Sequence, residues 1–174
     1  SSQTADDDSE IEFTSGITST YDHYMFKFYM INPATDNVNF YFYGSTDGGS
    51  TYGVTKTTTF GPYSNLDAGN TANYNYGYHN SKDVASGTGP HFLSYNTGNG
   101  AAESLSGELH IYDVASTSLV KNFYAVTPEW LAISYAGINY TAGYFDTTTA
   151  INAFKFAFSS GNINEGTIKL YGVK

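Results

Sequence analysis

Large aromatic side chains recur at every second position along most of this chain, and that period leaves little choice of fold. Near the C-terminus Phe154, Phe156 and Phe158 alternate with Ala153, Lys155 and Ala157; further on, Ile168 and Leu170 alternate with Lys169 and Tyr171. A period of two is that of a strand with one face in a core and the other outside it. The intervening Ser159–Gly166 is dense in Ser, Gly and Asn, which supply positive φ or local hydrogen bonds. The pair therefore reads as a β-hairpin closing one large antiparallel sandwich.

The same grammar runs upstream. Ile11 and Phe13 make a short edge strand between Glu10, Glu12 and Thr14. Tyr24, Phe26, Phe28 and Met30 alternate with Met25, Lys27, Tyr29 and Ile31, so both faces of that strand carry large side chains. A central strand with its second face covered by a loop, a sheet or another subunit fits such a pattern. Asn32–Asn37 and Asp47–Ser50 are turns, with the return strand Val38–Tyr43 between them and a Thr-rich strand, Tyr52–Phe60, after them. Gly61–Gly100 is the least regular third, and only His91–Tyr95 reads as a strand in it. Leu105–Asp113 pairs with Leu119–Thr127, and Trp130–Ile138 and Tyr140–Phe145 precede the final pair. No window holds a 3.6-residue period, and Thr147–Ala150 is at most one helical turn. The expected fold is all-β, an antiparallel β-sandwich of about ten strands in jelly-roll form. Residues 1–10, with Asp6, Asp7 and Asp8 and no apolar run, are expected to be a flexible N-terminal segment, and 11–174 a single domain.

Composition narrows the function classes. The chain has 17 Tyr and 12 Phe but only 13% charged residues, which favours sheet. Its formal charge is −9 and its seven cations are scattered lysines, so neither nucleic acid nor an anionic membrane is an expected partner. Without Cys there is no disulfide framework, thiolate nucleophile or Cys-ligated zinc. No run of apolar residues is long enough to span a membrane, and no signal-peptide pattern is present. The opening Ser1-Ser2-Gln3, without an initiating Met, reads as processing or as excision from a longer protein.

Motifs for catalysis are thin. His23, His79, His91 and His110 have no metal-binding spacing, and no G-x-S-x-G turn exists. Glu103 and Glu108 are the one close carboxylate pair in an ordered-looking region, the arrangement a glycosidase needs if the two face one cleft. Asp47-Gly48-Gly49 resembles half a calcium loop but lacks the remaining Asx positions and the terminal Glu. No enzyme, metal or cofactor is expected from these patterns. The candidate binding surface is Tyr74, Tyr76 and Tyr78 with Asn75, flat amphipathic rings beside amides, suited to a sugar or a protein partner. The same rings also suit packing beneath a long loop.

Four segments carry a resemblance: Phe13–Ile17 running into Ser19–Phe28; Ile31–Asp36; Leu105–Ile111; and Ala142–Phe145 leading to Phe158–Ile163 and Gly166–Lys174. Together they resemble uncharacterised structural proteins of tailed bacteriophages, especially those from marine samples. The likeness covers about Phe13 to the C-terminus and is weakest over Gly61–Gly100. It implies a virion component on the particle surface, a capsid decoration or cement protein or an appendage component, and supplies no catalytic residues. A carbohydrate-binding module for host attachment is the second expectation and a glycoside-active enzyme the third. Expected partners are other copies of the chain, as a homotrimer, other virion proteins such as the major capsid protein, and a host surface glycan.

Overall fold

A computed structural model describes residues 1–66, 77–132 and 134–174. Its strands are β1 (Ser2–Asp8), β2 (Ile11–Phe13), β3 (His23–Pro33), β4 (Phe40–Ser45), β5 (Lys56–Leu66), β6 (His91–Phe92), β7 (Leu105–Tyr112), β8 (Lys121–Leu131), β9 (Tyr135–Phe145), β10 (Ala153–Phe158) and β11 (Ile163–Val173). The one helical element among the described residues is a 3-10 turn, Asn80–Lys82. Two sheets form, one of seven strands in the order β1-β11-β3-β7-β8-β9-β5 and one of four, β2-β10-β4-β6.

The expected sandwich is therefore present, and its strand order is that of a jelly roll. Leaving β5, β8 and β9 aside, the first strand pairs with the last (β1–β11), the second with the next to last (β2–β10), the third with β7, and β4 with β6. These nested antiparallel pairs alternate between the two sheets, which is the rolled double Greek key. The three remaining strands extend the larger sheet beyond β7.

Between the sheets lies an aromatic core. Phe156 is fully buried, and its ring centre lies 5.0 Å from Phe26, 5.3 Å from Phe28, 6.1 Å from Phe40 and 6.2 Å from Phe13. Phe154, Phe158, Ile168 and Leu170 are buried with it, so the inward parity read from the C-terminal segment is correct.

Strand bounds differ from expectation, since Trp130–Ile138 is divided between β8 and β9 and β5 runs from Lys56 on to Leu66, and three further differences bear on the packing. The terminal pair is no hairpin: β10 lies in the smaller sheet between β2 and β4, while β11 lies in the larger between β1 and β3. The connection crosses the sandwich through Ser159–Asn162, with Gly161 at φ 69°. Both strands do send apolar sides into one core, but from opposite walls, and a period of two cannot distinguish facing strands from adjacent ones.

The N-terminal segment, expected to be loose, is instead an edge strand on β11, in register from Ser2↔Lys169 to Asp8↔Ile163, and the Ser1 amino group donates to Leu170 O at 2.9 Å. Only Ala5 of β1 is buried. Main-chain pairing orders this segment, and composition carries no signal of that. In β3, Met30 does not follow Phe28 inward. A bulge between Phe28 and Ile31 puts Met30 at φ 51° and 69% exposed, and Ile31 takes the core position.

Candidate functional site

The extension β8-β9-β5 buries polar and ionic groups among apolar ones such as Phe60, Phe123 and Phe145, and carries uncharged aromatic surface outside. On β8 the inward residues include Lys121, Thr127 and Glu129, on β9 Asn139 and Thr141, and on β5 Lys56 and Thr58, all buried. Outward from the same strands point Asn122, Tyr124, Val126, Pro128 and Trp130, then Ala136, Ile138, Tyr140, Ala142 and Tyr144, then Thr57, Thr59, Gly61 and Tyr63. Sheets usually keep charge outside and large apolar groups within. Here the ionic groups are inside and the outer side carries none.

The inward polar groups hold irregular backbone. The segment from His79 to Thr97 packs under the extension with few ladder partners of its own, and buried peptide groups must be satisfied somehow. Thr58 Oγ1 accepts from Val84 N–H at 2.9 Å, Thr141 Oγ1 donates to Phe92 O at 2.9 Å, and Thr127 Oγ1 donates to Leu93 O. Glu129 accepts from Tyr95 N–H (3.2 Å), Thr97 Oγ1 (2.7 Å) and Asn139 Nδ2 (2.6 Å). Burial raises its carboxyl to about 7 against these bonds, which favour the charged form. Lys121 Nζ donates to the carbonyls of Ser116, Leu119 and Thr147 at 2.7, 3.0 and 3.0 Å. Lys56, across Phe145 from it in register, is lowered to about 8 by burial. Burial, and then the Lys56 ammonium, bring His91 down to about 3; its Nδ1 bonds Thr58 Oγ1 at 3.0 Å.

Outside, registers fix a grid. Rows across β5, β9 and β8 read Thr59–Ala142–Tyr124, Gly61–Tyr140–Val126 and Tyr63–Ile138–Pro128. Tyr63, Tyr140 and Tyr124 thus lie on one diagonal of three neighbouring strands, with Gly61 and Ala142 at the adjoining corners. A hollow of about 370 Å³ opens there, and Tyr78 stands at its rim. The rings are set before anything binds. Tyr63 and Tyr140 meet edge to face at 5.7 Å and 85°, Tyr124 stacks on His110 at 4.6 Å and 3°, and the Tyr78 hydroxyl is held by Asp83. Trp130 and Pro128 line a neighbouring depression of about 410 Å³ with Ala136.

The other half of this face, on β7, β3 and β11, is ionic. Glu108 lies 3.7 Å from Lys27 Nζ and 3.0 Å from His110 Nε2, and His110 Nδ1 shares a 2.8 Å hydrogen bond with His23 Nε2. His23 is lowered by burial and then by His110. Sequence reading had the histidines scattered; strand pairing His23↔Tyr112 and Met25↔His110 brings two together across 87 positions. Among the described residues no group of three or more ligand-type side chains is placed to hold a metal.

Of the candidate binding residues, Tyr74, Asn75 and Tyr76 lie outside the described residues, and Tyr78 lies at the hollow, 69% exposed. Tyr63, Tyr124 and Tyr140 were not singled out from sequence. Their signal was present, since each alternates with a Thr or small residue, but parity alone does not say which side faces out. Glu103 and Glu108 do not converge: Glu103 Oε2 accepts from Gly100 N–H at 2.8 Å in the loop before β7, while Glu108 is on the outer face. Asp47 closes its turn by accepting from Ser45 Oγ and from Thr51 N–H and Oγ1. Comparison with known proteins finds no matching family model, curated protein or solved structure.

Proposed function

We propose that this chain is a structural protein of a bacteriophage particle, carried on the particle surface as a decoration or appendage component and working through the outer face of its larger sheet. The observation that carries this reading is the uncharged aromatic half of that face. Tyr63, Tyr124, Trp130 and Tyr140 are 39–49% exposed on strands that the jelly roll itself does not require. Contiguous exposed aromatic surface on a soluble domain marks a place where something docks. The resemblance of the Leu105–Ile111 and Gly166–Lys174 segments to phage structural proteins supplies the setting.

Self-association as a trimer, and contact with a major capsid protein, belong to the same proposal. The side of β3 that carries Met25, Lys27 and Tyr29, together with Tyr171 on β11, is the surface offered to a neighbouring copy. Light scattering on the isolated chain should give three times the 18.9 kDa monomer mass. Cryo-EM of particles carrying the protein should place it outside the shell or on the tail. Its absence from purified particles would end the proposal.

A further inference from the structure

The hollow on the extension is shaped and charged for one class of ligand. We infer that it binds a neutral oligosaccharide, laid diagonally over Tyr63, Tyr140 and Tyr124 across β5, β9 and β8. This rests on the reading above that the outer face is the working surface, and it names what that face takes.

The diagonal is the first argument. Same-face neighbours one step along and one strand over are about 7–8 Å apart, so the three rings make a stripe of about 15 Å, longer than one sugar and suited to a short chain of them. Gly61 and Ala142 keep the ground beside the rings low. A pyranose presents an apolar C–H face and a rim of hydroxyls; a tyrosine presents an apolar ring and one hydroxyl, so the two match in both parts.

Charge supplies the second. Among the described residues no carboxylate or ammonium lines the hollow, and the nearest strand position with one is Glu108, beside Val126 and outside it. A chain of formal charge −9 repels polyanions, and the carboxylate beside the hollow, Asp83, is already engaged by the Tyr78 hydroxyl and the Phe60 N–H. A neutral ligand meets no such penalty.

Two other occupants fit worse. An added peptide strand needs a free sheet edge, but along β5 Lys56 N–H, Thr58 N–H and Phe60 N–H are already taken by Gly87 O, Val84 O and Asp83 Oδ1. A second copy meeting this patch about a two-fold axis would set hollow against hollow, leaving a void where a stable interface is close-packed. A preset site also binds without ordering its side chains first, and the edge-to-face Tyr63–Tyr140 pair and the Tyr124–His110 stack provide that.

Isothermal titration of the full chain with maltohexaose, cellohexaose and laminarihexaose, and with a hexameric polyuronate, tests the inference. At least one neutral hexaose should bind at sub-millimolar concentration and the polyuronate should not. Tyr140→Ala should weaken binding about tenfold and Tyr63→Ala by a similar factor, while Leu119→Ala, exposed in the connection before β8, should leave it unchanged. Circular dichroism establishes that each variant is folded. Tyr140→Phe keeps the ring and should retain most of the affinity. The inference is overturned if no neutral hexaose binds at millimolar concentration, if the polyuronate binds in preference, or if Tyr140→Ala binds as the parent does. It is equally overturned if sedimentation shows a dimer that Tyr140→Ala dissociates, for the face then takes a second copy. Hexaose binding by a protein absent from particles would sink the virion reading and leave the site; a particle protein blind to all three sugars would do the reverse.

Discussion

Glu129 shows how far one side chain can depart from what its letter implies. In sequence it is one more acid in an acidic chain; in the fold it is buried, bonded by Tyr95, Thr97 and Asn139, and raised from 4.5 to about 7 by burial. A folded-state value above the unfolded one means that the folded chain holds the proton more tightly. The contribution is fully present below about pH 4.5 and is lost as pH rises through about 7, by about 3 kcal/mol in all. The difference in urea midpoint between the parent and Glu129→Gln, followed from about pH 4.5 to about 7.5, should show that loss, since the opposing His91 contribution is common to both. His91 works in the opposite direction: held down at about 3, it contributes above its ordinary 6.5 and loses that contribution as pH falls towards 3. Lys155 departs from sequence in a smaller way. Its alternation with Phe154 and Phe156 implies a solvated residue that Ala could replace for under about 0.5 kcal/mol. The fold places its ammonium 2.9 Å from Glu10 and over the rings of Tyr43 and Tyr52, at 5.3 and 4.8 Å. Lys155→Ala should therefore cost about 1–2 kcal/mol in chemical denaturation.

At the scale of strands, alternation announced most elements and said little about their partners. Phe154–Phe158 and Ile168–Leu170 were read with the right inward sides but as neighbours, whereas they face each other across the core. Phe156→Ala removes a ring packed against four others and should cost about 3–5 kcal/mol. The bulge in β3 was hidden for a different reason, because it depends on glycines far off in sequence. Gly166, at φ 122°, sits where a Cβ would lie 2.7 Å from Met30 O and 2.8 Å from Ile31 Cα. Gly166→Ala should destabilise by more than about 1 kcal/mol, while Gly53→Ala, with open space around it, should change stability by less than about 0.5 kcal/mol. A normal cost at Gly53 and none at Gly166 would remove the bulge from the account.

For the whole molecule, the all-β sandwich was legible because aromatic period-2 segments separated by Gly, Asn and Ser have few other outcomes. The burial of polar groups by β5, β8 and β9 was not. Along Lys121–Leu131 both parities mix polar and apolar residues, and only the irregular segment beneath, whose peptide groups need Thr58, Thr127, Glu129 and Thr141, decides that the polar side goes in. The outer aromatic face follows from that demand, and the proposed docking function follows from the face. Covalent footprinting of the native chain, an amine acylating reagent and hydroxyl radicals read together by mass spectrometry, tests this arrangement most directly. Lys56 and Lys121 should resist acylation while Lys174 reacts readily, and Tyr124, Trp130 and Tyr140 should oxidise faster than Phe60, Phe123 and Phe145. Acylation of Lys56 and Lys121 at the rate of Lys174, with Tyr124 and Tyr140 protected in the unassembled chain, would contradict it.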